Sequence, residues 1–241
     1  LTNLRGLEAL GIFSFGSKFI DLARQIPNAI RKSWNPFFFN TINKNTKESR
    51  EIIYSRFEKL IFLLSLPCVF IILFSEDIIL IFGNSNYHAA SYIIPIYAFT
   101  YFISTLDFLS SNQITVSEKL MNQLPSALIG GLFFIILNII LIPRFGAIGA
   151  ALSAAIHFLI SHLINLYFGQ KVFPLPINIK RLATFFFVLI LISCLSYLFI
   201  IIPLPLYVKI LFKLLVILIF TIFIIRLSNI QLNSIKQSLT I

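Results

Sequence analysis

Apolar runs long enough to cross a lipid bilayer recur along almost the whole chain, and no other feature restricts its fold as much. A hydrocarbon core of about 30 Å requires roughly 20 mainly apolar residues per helical crossing. The stretches 52–74, 90–110, 124–142, 147–168, 182–202 and 208–226 meet that requirement. Within lipid each backbone N–H and C=O must find its partner inside the protein, which selects helices for segments of this length. A chain of 241 residues that is 58% hydrophobic and 12% charged, with a mean hydropathy of +0.94, carries more apolar surface than a soluble domain of its size buries. The expected fold class is therefore all-α, a polytopic transmembrane helix bundle. With a more polar first segment, 9–32, it has about seven spans in one unit over 1–241.

The formal net charge of +10 suggests a nucleic-acid partner only until its distribution is read. The basic residues lie between the apolar runs rather than on a patch interleaved with aromatics, so the charge sets topology and no nucleic acid is expected. The connection 40–59 holds Lys44, Lys47, Arg50, Arg56 and Lys59, whereas 75–90 has no Lys or Arg. The positive-inside rule places the first of these in the cytoplasm. Alternation then brings Lys119, Lys171, Lys180, Arg181, Arg226 and Lys236 to that side and leaves Arg5, Arg144 and Lys209 on the other. The expected location is the cell (inner) membrane, with a cytoplasmic C terminus. Cys68 and Cys194 each sit in an apolar run and read as buried small hydrophobes, not as a disulfide or metal site. The chain opens on Leu1 without a basic region and apolar core of secretory type, and a fragment of a longer protein is expected.

Between 124–142 and 147–168 the link Pro143-Arg144-Phe145-Gly146 has room only for a helical hairpin. Gly146, Ala150 and Ala154 recur every four residues, with Gly149 and Ser153 beside them, and permit close helix approach. Gly130 and Gly131 read as a packing position or a hinge.

The first segment carries the functional signal. Ser14, Lys18, Asp21, Gln25, Asn28 and Lys32 follow a 4-3-4-3-4 spacing and form one polar face of a helix. Ser17, Arg24 and Arg31 adjoin it, and Phe15, Phe19, Leu22, Ile26 and Ala29 repeat the spacing on what reads as the opposite side. An amphipathic helix of this kind can lie flat on a membrane. As a crossing helix, which makes the later charges alternate correctly, its polar face must avoid lipid. Asp21 is three residues from both Lys18 and Arg24, within reach of local pairing. Pro27 is expected to bend the helix.

Elsewhere, Asp107 with Ser104, Ser110, Ser111, Asn112 and Gln113 reads as the cytoplasmic end of the third span, with Asp107 a candidate for a coupling ion. Glu76 and Asp77 read as solvated interfacial carboxylates. His157 and His162 are five apart, about 140° around a helix, and do not share a face as metal ligands would. No nucleophile elbow, zinc-helix, phosphate-loop or paired-cysteine motif occurs, so neither an enzyme nor a cofactor is expected.

The succession GIFSFGSKFIDLARQIPNAIRKSWNPFFFN, a basic loop, LIFLLSLPCVFIILFSEDIILIFGNSNYHAA and NIILIPRFGAIGAALSAAI resembles the C-terminal half of polysaccharide-exporting flippases of the multidrug/oligosaccharidyl-lipid/polysaccharide superfamily. The resemblance runs from about residue 10 to 170. Its most telling pieces are the Trp34-Asn35-Pro36-Phe37 helix end, Glu76 to Phe82 with Gly83, Tyr87 and Ala89, and the Pro143 to Ala151 hairpin. It implies the second bundle of a 12 to 14 helix transporter that flips undecaprenyl-diphosphate-linked oligosaccharide by alternating access. The implied partners are that lipid-linked sugar, membrane lipid, a missing N-terminal bundle and other polysaccharide-assembly proteins. Under this resemblance Lys18, Asp21, Arg24, Gln25, Asn28, Arg31 and Lys32 face the cavity. Related lipid II flippases carry an A-D-R segment where this chain has Gly16-Ser17-Lys18, a departure that counts against lipid II as substrate. A drug or cation antiporter of the same superfamily, a membrane-embedded glycan polymerase or ligase, and a structural membrane partner are the competing classes.

Overall fold

The computed structural model describes residues 2–44, 46–83, 85–116 and 120–228. Lys119 and Lys236, two of the residues used to assign sidedness, lie outside them, as does the side chain of Arg5. The described elements are helical: α1 (Thr2–Ala23), α2 (Gln25–Ile42), α3 (Lys47–Leu73), α4 (Ser75–Phe82), α5 (Ile93–Val116), α6 (Leu124–Val172), α7 (Ile179–Ile201) and α8 (Leu206–Ser228), with 3-10 turns at Ser85–Tyr92 and Leu120–Gln123. Four helical stretches are long and apolar enough to cross a membrane: Asn86–Val116, Met121–Val172, Ile179–Ile201 and Leu206–Leu227. α3 and α4, bent by 64° at Phe74, add a fifth if they form one broken span. The chain is an all-α membrane protein.

Met121–Val172 covers two of the expected segments, and it folds back on itself. At Gly146 the backbone takes φ +58° and ψ −128°, a combination that a side chain disfavours, immediately after Pro143 has interrupted the helical ladder. The two arms then run side by side: Ser161 Oγ donates to the Ser126 carbonyl at 3.3 Å, and the Phe134 and His157 rings lie 5.2 Å apart. A Cβ on Gly130 would lie 2.1 Å from Ser161 Oγ, so Gly130 is a point of close approach between the arms and its work is packing. The row Gly149, Ala150, Ser153 and Ala154 is buried, as the small-residue spacing predicts.

α5 is the most buried of the membrane-length helices and the one the others surround. α1, α3, α6 and α7 all pack on it, and the lipid-facing work falls to the arms of α6 and to α7 and α8, whose Leu, Ile and Phe side chains are widely exposed. Phe185 of α7, with no exposed surface, gathers four helices: its ring is 5.1 Å from Phe62 of α3, 5.2 Å from Phe102 of α5 and 5.7 Å from Phe220 of α8. Offset and tilted ring pairs of this kind add about 0.5–1.5 kcal/mol each beyond the area they bury.

The two ends of the bundle are tied differently. At one end, Arg181 of α7 meets both oxygens of the buried Glu58 of α3 at 3.2–3.3 Å, Asn178 N–H donates to Tyr54 Oη at 2.9 Å, and Gln113 Nε2 donates to the Phe173 carbonyl at 2.6 Å. Arg50 stacks over Phe173 at the same end. The segments carrying Arg50, Lys171, Lys180 and Arg181 thus share one end of the bundle. At the other end, Glu76 and Asp77 are not the solvated carboxylates expected from sequence. Lys209 Nζ lies 3.1–3.2 Å from both Glu76 oxygens, and Lys213, fully buried, pairs with Asp77 over the Phe74 ring. Lys213, absent from the sidedness count, lies one turn beyond Lys209 on the same face of α8 and so reaches the next residue of α4. Removing one partner of a buried ion pair costs about 3–5 kcal/mol because the other charge is left alone. Lys213→Met is therefore expected to lower unfolding stability in detergent by about 3 kcal/mol, and Lys213→Met with Asp77→Asn to recover more than half of the loss. Denaturant titration followed by circular dichroism checks both values.

Candidate functional site

The polar row lies on α1 and α2, which are one path with a break at Arg24. Pro27 has no N–H to offer the Ala23 carbonyl, so the helix is interrupted one turn before the proline, at Arg24, whose own backbone stays helical and bonds to Ile20 and Asn28. The path does not lie flat on the bundle's end. Gly16 abuts Ala90 and Ile93, Arg24 reaches Tyr97 and Thr100, Arg31 reaches Phe108 and Ser111, and Asn35 accepts from Asn112 Nδ2 at 3.1 Å. Contacts that advance together from residue 90 to residue 112 mean that α1–α2 runs parallel to α5 for about 30 Å of helix.

The path has three faces rather than two. Ser17, Ile20, Ala23, Pro27, Trp34, Phe38 and Ile42 are buried in the bundle. Lys18, Asp21, Gln25, Asn28 and Lys32 are exposed, whereas Ser14 is half-buried. The row of Phe15, Phe19, Leu22, Ile26 and Ala29 is a correction to the sequence expectation: the same spacing offset by one residue lies about 100° from the polar row, not opposite it. Leu22 and Ile26 are exposed beside Asp21 and Gln25, while Phe15 stacks on Tyr87 at 4.5 Å and the Phe19 ring meets Phe82 at a tilt, 5.9 Å between centres. The truly opposite face is the buried one.

Two of the candidate residues turn inward. The Arg24 guanidinium bonds Asp21 Oδ1 at 2.8 Å and the Thr100 hydroxyl, and it lies 5.2 Å from the Tyr97 ring centre and 5.0 Å from that of Phe158. The Arg31 guanidinium bonds Ser111 Oγ at 2.8 Å and lies 5.0 Å from the Phe108 ring centre. Each sits on the same device, an aromatic ring with a hydroxyl three residues later on α5. Arginine suits this seat because its planar, weakly hydrated cation accepts a ring face and still donates in plane. Lys18 and Lys32 have no hydrogen-bond or ion-pair partner among the described residues, and their charge is presented outward.

Asp107 is not at a helix end. It lies well inside α5, on the row Thr100, Ser104, Asp107 and Ser111 that faces α2 and the second arm of α6. Its Oδ1 accepts from Ser110 Oγ at 3.0 Å and Asn165 Nδ2 at 3.1 Å, and His162 Nδ1 stands 3.6 Å away. Asp107, His162 and Asn165 line a pocket of about 210 Å³, to which Asn28, Arg31, Ser104, His157 and Ser161 also contribute. His157 and His162 therefore do share an environment that their spacing on one helix concealed, because the pocket wraps around that helix. Buried atoms without a partner collect here: His157 Nδ1, His162 Nδ1 and Asn165 Oδ1. No cluster of three metal-ligating side chains occurs among the described residues.

The arrangement separates two uses of charge on one helix. Arg24→Lys is expected to lower unfolding stability by about 1 kcal/mol, since an ammonium cannot keep both ring faces and the hydroxyl. Lys18→Ala, which removes an exposed charge, is expected to stay within about 0.5 kcal/mol of the parent. Denaturant titrations of both variants in the same micelles make the comparison. No family model matches the chain, and no curated protein or solved structure is significantly similar to it.

Proposed function

We propose that the chain is the second bundle of a transporter that moves an undecaprenyl-diphosphate-linked oligosaccharide across the cytoplasmic membrane by alternating access, for cell-surface polysaccharide. The observation that carries this reading is the row Lys18, Asp21, Gln25, Asn28 and Lys32, which stays exposed among the described residues although α1–α2 runs alongside the central helix α5. A charged row at that depth is not stable against lipid and is expected to border water or another protein surface. In this reading the transporter's N-terminal bundle closes the row into a cavity.

The chemistry of the row fits an anionic, sugar-bearing head group. Lys18 and Lys32 offer charge-assisted bonds to phosphate, and Gln25 and Asn28 donate and accept as sugar hydroxyls require. Arg24 and Arg31 are committed to their seats on α5 and set the electrostatic background. Leu22 and Ile26, exposed beside the row, give the carrier's apolar portion a surface continuous with the polar one. In this reading α1–α2, the broken pair α3–α4, α5, the two arms of α6, α7 and α8 make seven crossings, and the end that holds Arg50, Lys171 and Arg181 is cytoplasmic, together with the C terminus.

The reading is tested by export in cells that depend on the protein for surface polysaccharide, with membrane insertion of each variant confirmed. A lost charge-assisted bond of about 1.5–3 kcal/mol corresponds to a fall in export of roughly tenfold to a hundredfold for Lys18→Ala or Lys32→Ala. Full export by both Lys18→Ala and Lys32→Ala would remove the role of the row in transport.

A further inference from the structure

A carboxylate inside a membrane bundle is costly unless it is neutralised, and the surroundings of Asp107 divide its two oxygens sharply. Oδ1 takes all of the contacts the side chain makes, from Ser110, Asn165 and His162. Oδ2 has none among the described residues, although the side chain is only 33% exposed, and the opening it has is the pocket. The titratable and charged groups that face Asp107 there are Arg31 from α2 and His157 and His162 from α6, with Arg24 beyond Phe158. α5 itself contributes Ser104 and Ser110, which do not titrate.

Three features decide what such a place binds. It has one anionic side chain, too few for a metal ion that must replace its hydration shell with oxygen ligands. It has a guanidinium in its wall, which repels a cation placed in the pocket. It also has a neighbouring imidazole 92% removed from solvent whose Nδ1 is unpaired and within 3.6 Å of the carboxylate. A proton is the one cation that needs no coordination shell and that an imidazole and a carboxylate can hold between them.

We propose that Asp107 and His162, oriented by Asn165 and Ser110, form a proton-binding site inside the bundle whose occupancy sets the charge available at Arg31. The proton arrives from water in the pocket and forms an O–H bond on Asp107 or an N–H bond on His162. Without it the Asp107 carboxylate balances Arg31. With it the pair is neutral and Arg31 carries an uncompensated positive charge towards Asn28 and the exposed row. Proton binding and the binding of an anionic head group near Arg31 are then mutually favourable, and by linkage each strengthens the other by the same factor. Only this last use rests on the transport reading; the site itself stands on the geometry of the pocket.

Infrared difference spectra of the chain reconstituted in lipid, recorded as the pH is stepped from about 9 to about 3, test the site. A protonated-carboxyl band is expected that disappears in Asp107→Asn and persists with an altered midpoint in Asp107→Glu. The midpoint is expected to move by about one pH unit or more in His162→Gln, and to higher pH in Arg31→Gln, where a neighbouring cation no longer opposes protonation. Circular dichroism identifies variants that have kept their helices. The proposal is overturned if the spectra of the parent and of Asp107→Asn coincide, if neither His162→Gln nor Arg31→Gln moves the midpoint, or if exchange of choline for sodium at constant ionic strength moves it in the parent. Export measured in parallel separates the two readings. A chain that titrates as described without exporting loses the transport reading and keeps the site, and a chain that exports without the titration loses the site alone.

Discussion

Lys213 has no exposed surface, and its ammonium meets the Asp77 carboxylate above the Phe74 ring, within a helix made mostly of Leu, Ile, Val and Phe. An apolar helix in lipid has little to fix its rotation, because one hydrocarbon contact is nearly as good as another. A charge that must find its partner removes that freedom. Lys209 with Glu76 and Lys213 with Asp77 choose one face of α8 and one height for it, and they hold α4 at the bend after α3. Glu58 with Arg181 performs the same service for α7 at the opposite end. The aromatic packing on Phe185 depends on these choices, since its ring meets Phe62, Phe102 and Phe220 only when α7 and α8 are turned correctly.

The same requirement organises the inside of the bundle. α5 is the least lipid-exposed of the long helices, and it carries Thr100, Ser104, Asp107 and Ser111 along one face. Those hydroxyls and the carboxylate are tolerable in a membrane only because α1–α2 and the second arm of α6 cover them and supply Arg24, Arg31, His162 and Asn165 as partners. Apart from the exposed row on α1–α2, polar chemistry thus gathers along α5, while α6, α7 and α8 turn apolar side chains outward, the reverse of a soluble domain.

The fold class was legible because transbilayer length and apolar composition leave few alternatives, and the hairpin at Gly146 because a proline and a glycine three residues apart interrupt one long apolar run. The polar row was legible from its heptad spacing. What lay beyond reach depended on which third direction the bundle would occupy. Periodicity reports the relative angle of two rows on one helix and nothing of the neighbour, so Arg24 and Arg31 read as members of the exposed face although they are anchored on α5. Glu76, Asp77, Lys209 and Lys213 are separated by more than a hundred residues, and their pairing belongs to tertiary structure. His157 and His162 point about 140° apart on a helix, and only the curvature of the pocket reunites them.

The seats of the two arginines have a mechanical meaning. Arg24 and Arg31 are seven residues apart, about 10 Å along a helix, whereas their seats at Tyr97–Thr100 and Phe108–Ser111 are eleven apart, about 16 Å. The arms of the arginines and the break at Arg24 absorb the difference. With both arginines seated at once, sliding one helix along the other breaks both seats together. α1–α2 and α5 are geared to move as a single lever. Any displacement of the exposed row has to be carried by that lever as a whole, or spent in flexing the break between Ala23 and Gln25.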